Sequence, residues 1–98
     1  MSRSSYNNAY KLFLTILKEL RHKKNVTQSK LAVLLGVPQS YVSKYEIGER
    51  RLDLIETLEI CRALDTDFIA FIEQFIKRNE AQGKDATTRA RQNRYGQS

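Results

Sequence analysis

The sequence predicts an all-α domain of five helices, and three observations carry that prediction. One proline and four glycines in 98 residues leave the body of the chain almost free of helix breakers. Apolar residues return at steps of three and four through successive segments, the spacing that gathers side chains on one face of a helix. With 41% hydrophobic and 29% charged residues, the composition is that of an ordinary globular protein with one modest core.

The first helix is marked by Ala9, Tyr10, Phe13, Ile16, Leu17 and Leu20, which form one stripe running to about Lys24. His22, Lys23 and Lys24 close it with positive charge, where the helix dipole is negative. Thr27 is the expected N-cap of a short second helix whose buried stripe is Leu31, Leu34 and Leu35. Gly36 ends that helix, because glycine takes the left-handed conformation a sharp turn requires. Pro38 suits the first turn of the third helix, where a missing amide hydrogen costs nothing. Tyr41, Val42 and Tyr45 then share its apolar face. Asp53 or a neighbour starts the fourth helix, with Leu54, Leu58, Cys61 and Leu64 on its stripe and Ile60 beside it.

Thr66 or Asp67 caps the fifth helix, in which Phe68, Phe71, Ile72, Phe75 and Ile76 match the amphipathic template and Ile69 widens it. That face is generous for a terminal helix. Phe71, Phe75 and Ile76 are therefore candidates for contact with a second subunit, although a deeply docked helix would carry the same pattern. Residues 79–98 have no period and are expected to be a polar, basic, disordered tail. The expected organisation is a flexible N-terminus over 1–8, a domain over 9–78, and the tail.

Several function classes fall away on composition. The longest apolar run, Leu31 to Val37, is far short of the roughly 20 residues that span a bilayer, and the N-terminus lacks the apolar stretch of a secretory signal. A cytoplasmic protein is expected. A single cysteine, Cys61, allows no internal disulfide, and no Cys/His spacing suits a metal; no cofactor is expected. His22 has no nucleophile or carboxylate partner with which to form a catalytic set, so no enzyme is expected. The net charge is +6, and the excess lies at the front: six basic residues against one acid up to Val26, but three against five from Leu54 to Arg78. A polyanion on one side of the molecule fits that asymmetry.

The second and third helices are short, each buries a single stripe, and about three residues around Gly36 join them. Such a pair crosses steeply, with Ala32 small enough to let the third helix approach and Val42 facing it: helix-turn-helix geometry over 27–46. The stretch from Leu17 to Leu64 resembles the Xre-type, Cro and phage-repressor-like helix-turn-helix domains. The resemblance rests on the joint spacing of Thr27-Gln28, Leu31-Ala32, Leu35-Gly36-Val37, Gln39-Ser40, Val42-Ser43-Lys44 and Glu46. Two positions depart from the family pattern. Pro38 stands where many members have a serine or threonine cap, and Asp65 where a glycine is common.

The resemblance implies a compact, repressor-like domain whose third helix lies in the major groove of double-stranded DNA. The residues suit that task independently. At about 100° per residue, Gln39, Ser40, Ser43 and Lys44 share one arc opposite Tyr41, Val42 and Tyr45. Glutamine pairs with adenine, lysine with the acceptor edge of guanine, and serine with several groups, while no carboxylate on the arc repels phosphate. Gln28 opens the second helix, whose free amides favour a phosphate, so its expected role is positioning. Arg50 and Arg51 are expected on phosphates by charge and by family analogy, unless an acid such as Glu49 or Asp53 captures one locally. The resemblance further implies a structural ion pair between Arg21 and Glu46. These expectations describe a DNA-binding transcriptional regulator, a repressor acting as a homodimer on a pseudo-palindrome. The alternative is an antitoxin or similar module that grips a partner protein, such as a toxin, and binds DNA to regulate its own operon. No small-molecule ligand is evident in either reading.

Overall fold

The computed structural model describes residues 3–82, which form five α-helices: α1 (Arg3–Lys23), α2 (Gln28–Leu35), α3 (Gln39–Glu46), α4 (Leu54–Ala63) and α5 (Phe68–Gln82). The all-α class read from periodicity is the class observed. Two boundaries differ from expectation. α1 begins at Arg3, inside the stretch over 1–8 set apart as a flexible lead, and α5 continues to Gln82, so 79–82 are helical. The rest of the expected disordered tail lies outside the described residues.

Local chemistry sets each junction. After α1, Asn25 adopts a left-handed φ of 59°, and the Val26 amide donates to the Arg21 carbonyl at 3.1 Å. Thr27 has extended backbone and its hydroxyl accepts from the Lys30 amide at 3.0 Å, as a serine-like N-cap should. Gly36 closes α2 at φ 71°, the left-handed region in which a Cβ would be strained. Pro38 is the N-cap of α3 rather than a first-turn residue; it has no side-chain oxygen to offer, and its carbonyl accepts from the Tyr41 amide. Asp53 caps α4 in a reciprocal box with Glu56. Asp65 takes φ 52° where the family commonly has glycine, a conformation that aspartate tolerates better than most side chains. Asp67 accepts from the Ile69 amide at 3.3 Å at the start of α5.

The core is drawn from every helix. Leu17 of α1, Leu31 of α2, Val42 and Tyr45 of α3, and Ile60 and Cys61 of α4 are fully buried, as is nearly all of Ala32, the small residue expected at the α2–α3 crossing. Burial pushes the Cys61 thiol up to about 11, which keeps it protonated and unreactive near neutral pH. Phe13 of α1 meets Phe71 and Phe75 of α5 edge-on, with ring centroids 6.0 and 6.5 Å apart, and so docks the last helix on the first.

That docking alters the expected outer face of α5. Phe71 is buried in its own subunit and Phe75 half-buried, while Ile76 remains 48% exposed. Leu34 and Leu54, expected in buried stripes, are also exposed, at 49% and 64%. Helices of eight and ten residues each bury only one narrow edge, and on α4 the fully buried Ile60 takes the inward place.

Candidate nucleic-acid interface

The first turns of α2 and α3 lie together, and one hydrogen bond joins them: the Ser29 hydroxyl donates to Gln39 Oε1 at 2.9 Å. Because an amide oxygen carries two lone pairs, Gln39 keeps one acceptor position and both its N–H donors facing solvent. Ser40 and Lys44 are exposed beside it. Ser43 is half-buried, and its hydroxyl donates to the Ser40 carbonyl at 3.2 Å, which leaves it only acceptor capacity while that bond holds. The four side chains therefore share the outer arc of α3, and Val42 and Tyr45 face inward. The nearest carboxylate along the helix, Glu46, is turned into the protein.

Glu46 collects three donors there. Arg21 Nε reaches Oε2 at 2.7 Å, Arg21 Nη2 reaches Oε1 at 3.1 Å, and Gln28 Nε2 reaches Oε1 at 2.8 Å. The side chains of Arg21 and Glu46 are 7% and 2% exposed, and Arg21 Nη1 also donates to the Val26 carbonyl at 2.8 Å. This bidentate pair fastens the end of α3 to α1 and thereby fixes the angle at which α3 presents its polar arc. Gln28 is thus committed inward. One amide N–H of Gln28 is taken by Glu46, and the start of α2 also offers the backbone N–H groups of Gln28 and Ser29, neither of which has a partner among the described residues.

The two arginines after α3 are in unlike surroundings. Arg50 donates from Nη2 to Glu56 Oε2 at 3.0 Å, and its guanidinium carbon lies 4.2 Å from the Tyr41 ring centroid. The Arg50 hydrogen bond, with the Asp53 amide, holds the Glu56 carboxyl below the usual range; the same contact raises Arg50. Local capture does occur, but the acid is Glu56 of α4, not Glu49 or Asp53. Arg51 has no acid partner among the described residues. It stacks on Tyr10 at 4.2 Å and donates from Nη1 to the Tyr6 hydroxyl at 3.3 Å.

Ser29, Glu56 and Tyr6 are site neighbours that the sequence does not single out, and Tyr10 and Tyr41, expected on apolar helix faces, also border the site. The spacing of Asp53 and Glu56 is a capping-box signature that would have located one of them. The others required knowledge of which helices touch. Among the described residues no cluster of His, Cys, Asp or Glu suits a metal ion, and no helix is long and apolar enough to cross a membrane.

Comparison with known proteins places this geometry in a wider set. A helix-turn-helix family model (HTH_3) matches residues 17–71. An XRE-family like protein from Pseudomonas syringae pv. tomato str. DC3000 is 41% identical, with a TM-score of 0.75, over 78% of this chain and 93% of that one. The wild-type restriction-modification controller protein C.Esp1396I is 26% identical, with a TM-score of 0.66, over 70% of this chain and 91% of its own. A point mutant of that controller, at 24% identity and the same TM-score, adds only likeness of fold. No curated protein matches the chain.

Proposed function

Because this chain belongs to the XRE family of helix-turn-helix, DNA-binding transcriptional regulators, we propose that it reads a specific operator with α3 and represses from it as a homodimer. One observation carries the reading: the outer arc of α3 bears amide, hydroxyl and ammonium groups with no outward carboxylate, and the Arg21–Glu46 pair anchors that helix from behind. Gln39 offers donor and acceptor together, the pattern adenine matches in the major groove, and Lys44 is free to meet guanine. The Ser29 bond restrains Gln39 before any contact is made, which lowers the entropy lost on binding. Ser40 and Ser43 fill the remaining positions of the row. The amides at the start of α2 and the guanidinium of Arg51 supply phosphate contacts, while Arg50, largely neutralised by Glu56, adds less.

A single eight-residue reading helix touches too few base pairs to select one site in a genome, which favours two copies on half-sites about 34 Å apart. Repression follows most simply from occupying the promoter. Selection of sites from random duplex DNA tests the proposal: a two-fold symmetric motif is expected. Gln39→Ala or Lys44→Ala should then relax preference at one position per half-site, by about 1–3 kcal/mol. Enrichment of no motif, or an unaltered motif in both variants, refutes α3 as the reader. The second reading, a module that holds a partner protein, draws on the exposed Ile69 and Ile76 of α5. Co-purification of a stoichiometric second chain would favour it.

A further inference from the structure

Two cations gather at one aromatic ring in this molecule, with no counterion among the described residues. The guanidinium carbon of Arg3 lies 4.9 Å from the centroid of Tyr6, and that of Arg51 lies 5.5 Å from the same centroid. Arg51 also stacks on Tyr10, whose hydroxyl accepts from the Leu52 amide at 3.3 Å. The first turns of α1 are thereby laced to the loop between α3 and α4. Stacking of this exposed kind is worth only about 0.5–1 kcal/mol per contact, and it is opposed by repulsion between the two guanidiniums. Neither has a carboxylate within ion-pair distance among the described residues, whereas the adjacent Arg50 is matched by Glu56. The rings orient the guanidinium planes yet occupy few of their N–H donors; Arg51 spends one on the Tyr6 hydroxyl. Guanidinium donors held at one ring, with no carboxylate partner among the described residues, are what an oxyanion requires.

The loop also runs along the reading helix, since Arg50 rests on Tyr41 of α3. Arg51 follows the end of α3 by five residues, so an anion held by Arg3 and Arg51 would lie at the C-terminal end of the reading helix. We propose that Arg3 and Arg51, held on Tyr6 and Tyr10, form a clasp for a backbone phosphate of duplex DNA, with the N-terminal turns of α1 as part of the binding surface. The clasp rests on the reading of α3 as the DNA-recognition helix, and it gives the early part of α1 a function separate from the core.

The test is a salt series of equilibrium titrations of the full chain with its selected duplex and with a scrambled duplex. Wild type is compared with Arg3→Gln, Tyr6→Leu and Tyr6→Phe, with thermal melts confirming that each variant is folded. Arg3 and Tyr6 are surface residues of an end turn, so folding is expected to survive all three changes. Arg3→Gln should weaken both duplexes by the same factor and reduce the slope of log K against log salt by about 0.9, the loss of one phosphate contact. Tyr6→Leu should reduce the slope although both arginines remain, and Tyr6→Phe, which keeps the ring, should restore most of it. An unchanged slope in Arg3→Gln overturns the clasp, as does a loss confined to the selected duplex, which would make Arg3 a base reader. If wild type binds no duplex at all, the proposed function fails and the clasp with it; if wild type binds selectively and Arg3→Gln matches it, only the clasp fails.

Discussion

Glu46 shows how much one side chain decides. Its two carboxylate oxygens accept from Arg21 twice and from Gln28 once, in surroundings that leave the carboxylate almost no contact with water. Removing the acid would leave the Arg21 charge buried with only neutral partners, the Val26 carbonyl and the His22 ring nitrogen at 3.5 Å, so Glu46→Ala is expected to destabilise the fold by ~3 kcal/mol or more in urea unfolding. Melting at the wild-type temperature would refute this assignment. The pairing of Arg21 with Glu46 was foreseeable from family resemblance, but the third donor was not. Gln28 carries a flexible amide that suits a phosphate or a carboxylate equally well, and only the position of Glu46 across the α2–α3 turn determines which it meets.

Among the elements, the start of α4 carries the clearest pH dependence. Glu56 Oε1 accepts from the Asp53 amide at 2.9 Å while Oε2 accepts from Arg50, so one side chain both caps α4 and holds the preceding loop. These donors, Arg50 foremost, lower the Glu56 pKa in the folded state below the unfolded value of about 4.3. A depressed carboxyl contributes stability that is complete above the unfolded value and is lost as pH falls through the folded one. Wild type should therefore exceed Glu56→Gln in stability at pH 6, with the difference shrinking below about pH 4 as Glu56 protonates. Urea unfolding at a series of pH values measures it, and a gap that stays constant down to pH 3 would exclude the ion pair as its source. The helix itself was readable from sequence through its apolar stripe and Asp53 at its start. Arg50 was not assigned to Glu56, since its partner lies six residues away around a turn whose path sequence does not specify.

At the scale of the whole molecule, the proposed dimer makes the exposed apolar edge of α5 its first candidate surface. Docking against Phe13 takes Phe71 into the subunit and partly covers Phe75, which leaves Ile76 to meet another copy. Ile76→Glu is expected to shift sedimentation toward monomer and to weaken binding to a two-half-site duplex more than to a single half-site. Unaltered sedimentation would move the contact elsewhere. The sequence by itself determined the five helices, the Thr27 and Asp53 caps and the polar arc of α3, because periodicity, cap chemistry and the conformational freedom of Gly36 act within a few residues of chain. Only the tertiary structure decided which ends of those helices meet solvent: that Phe71 is core and Leu54 surface, that Gln28 turns inward, and that Arg51 rests on α1. Burial and charge pairing depend on distances between segments far apart in sequence, and those distances are set by how the five helices pack, not by the order of residues within any one of them.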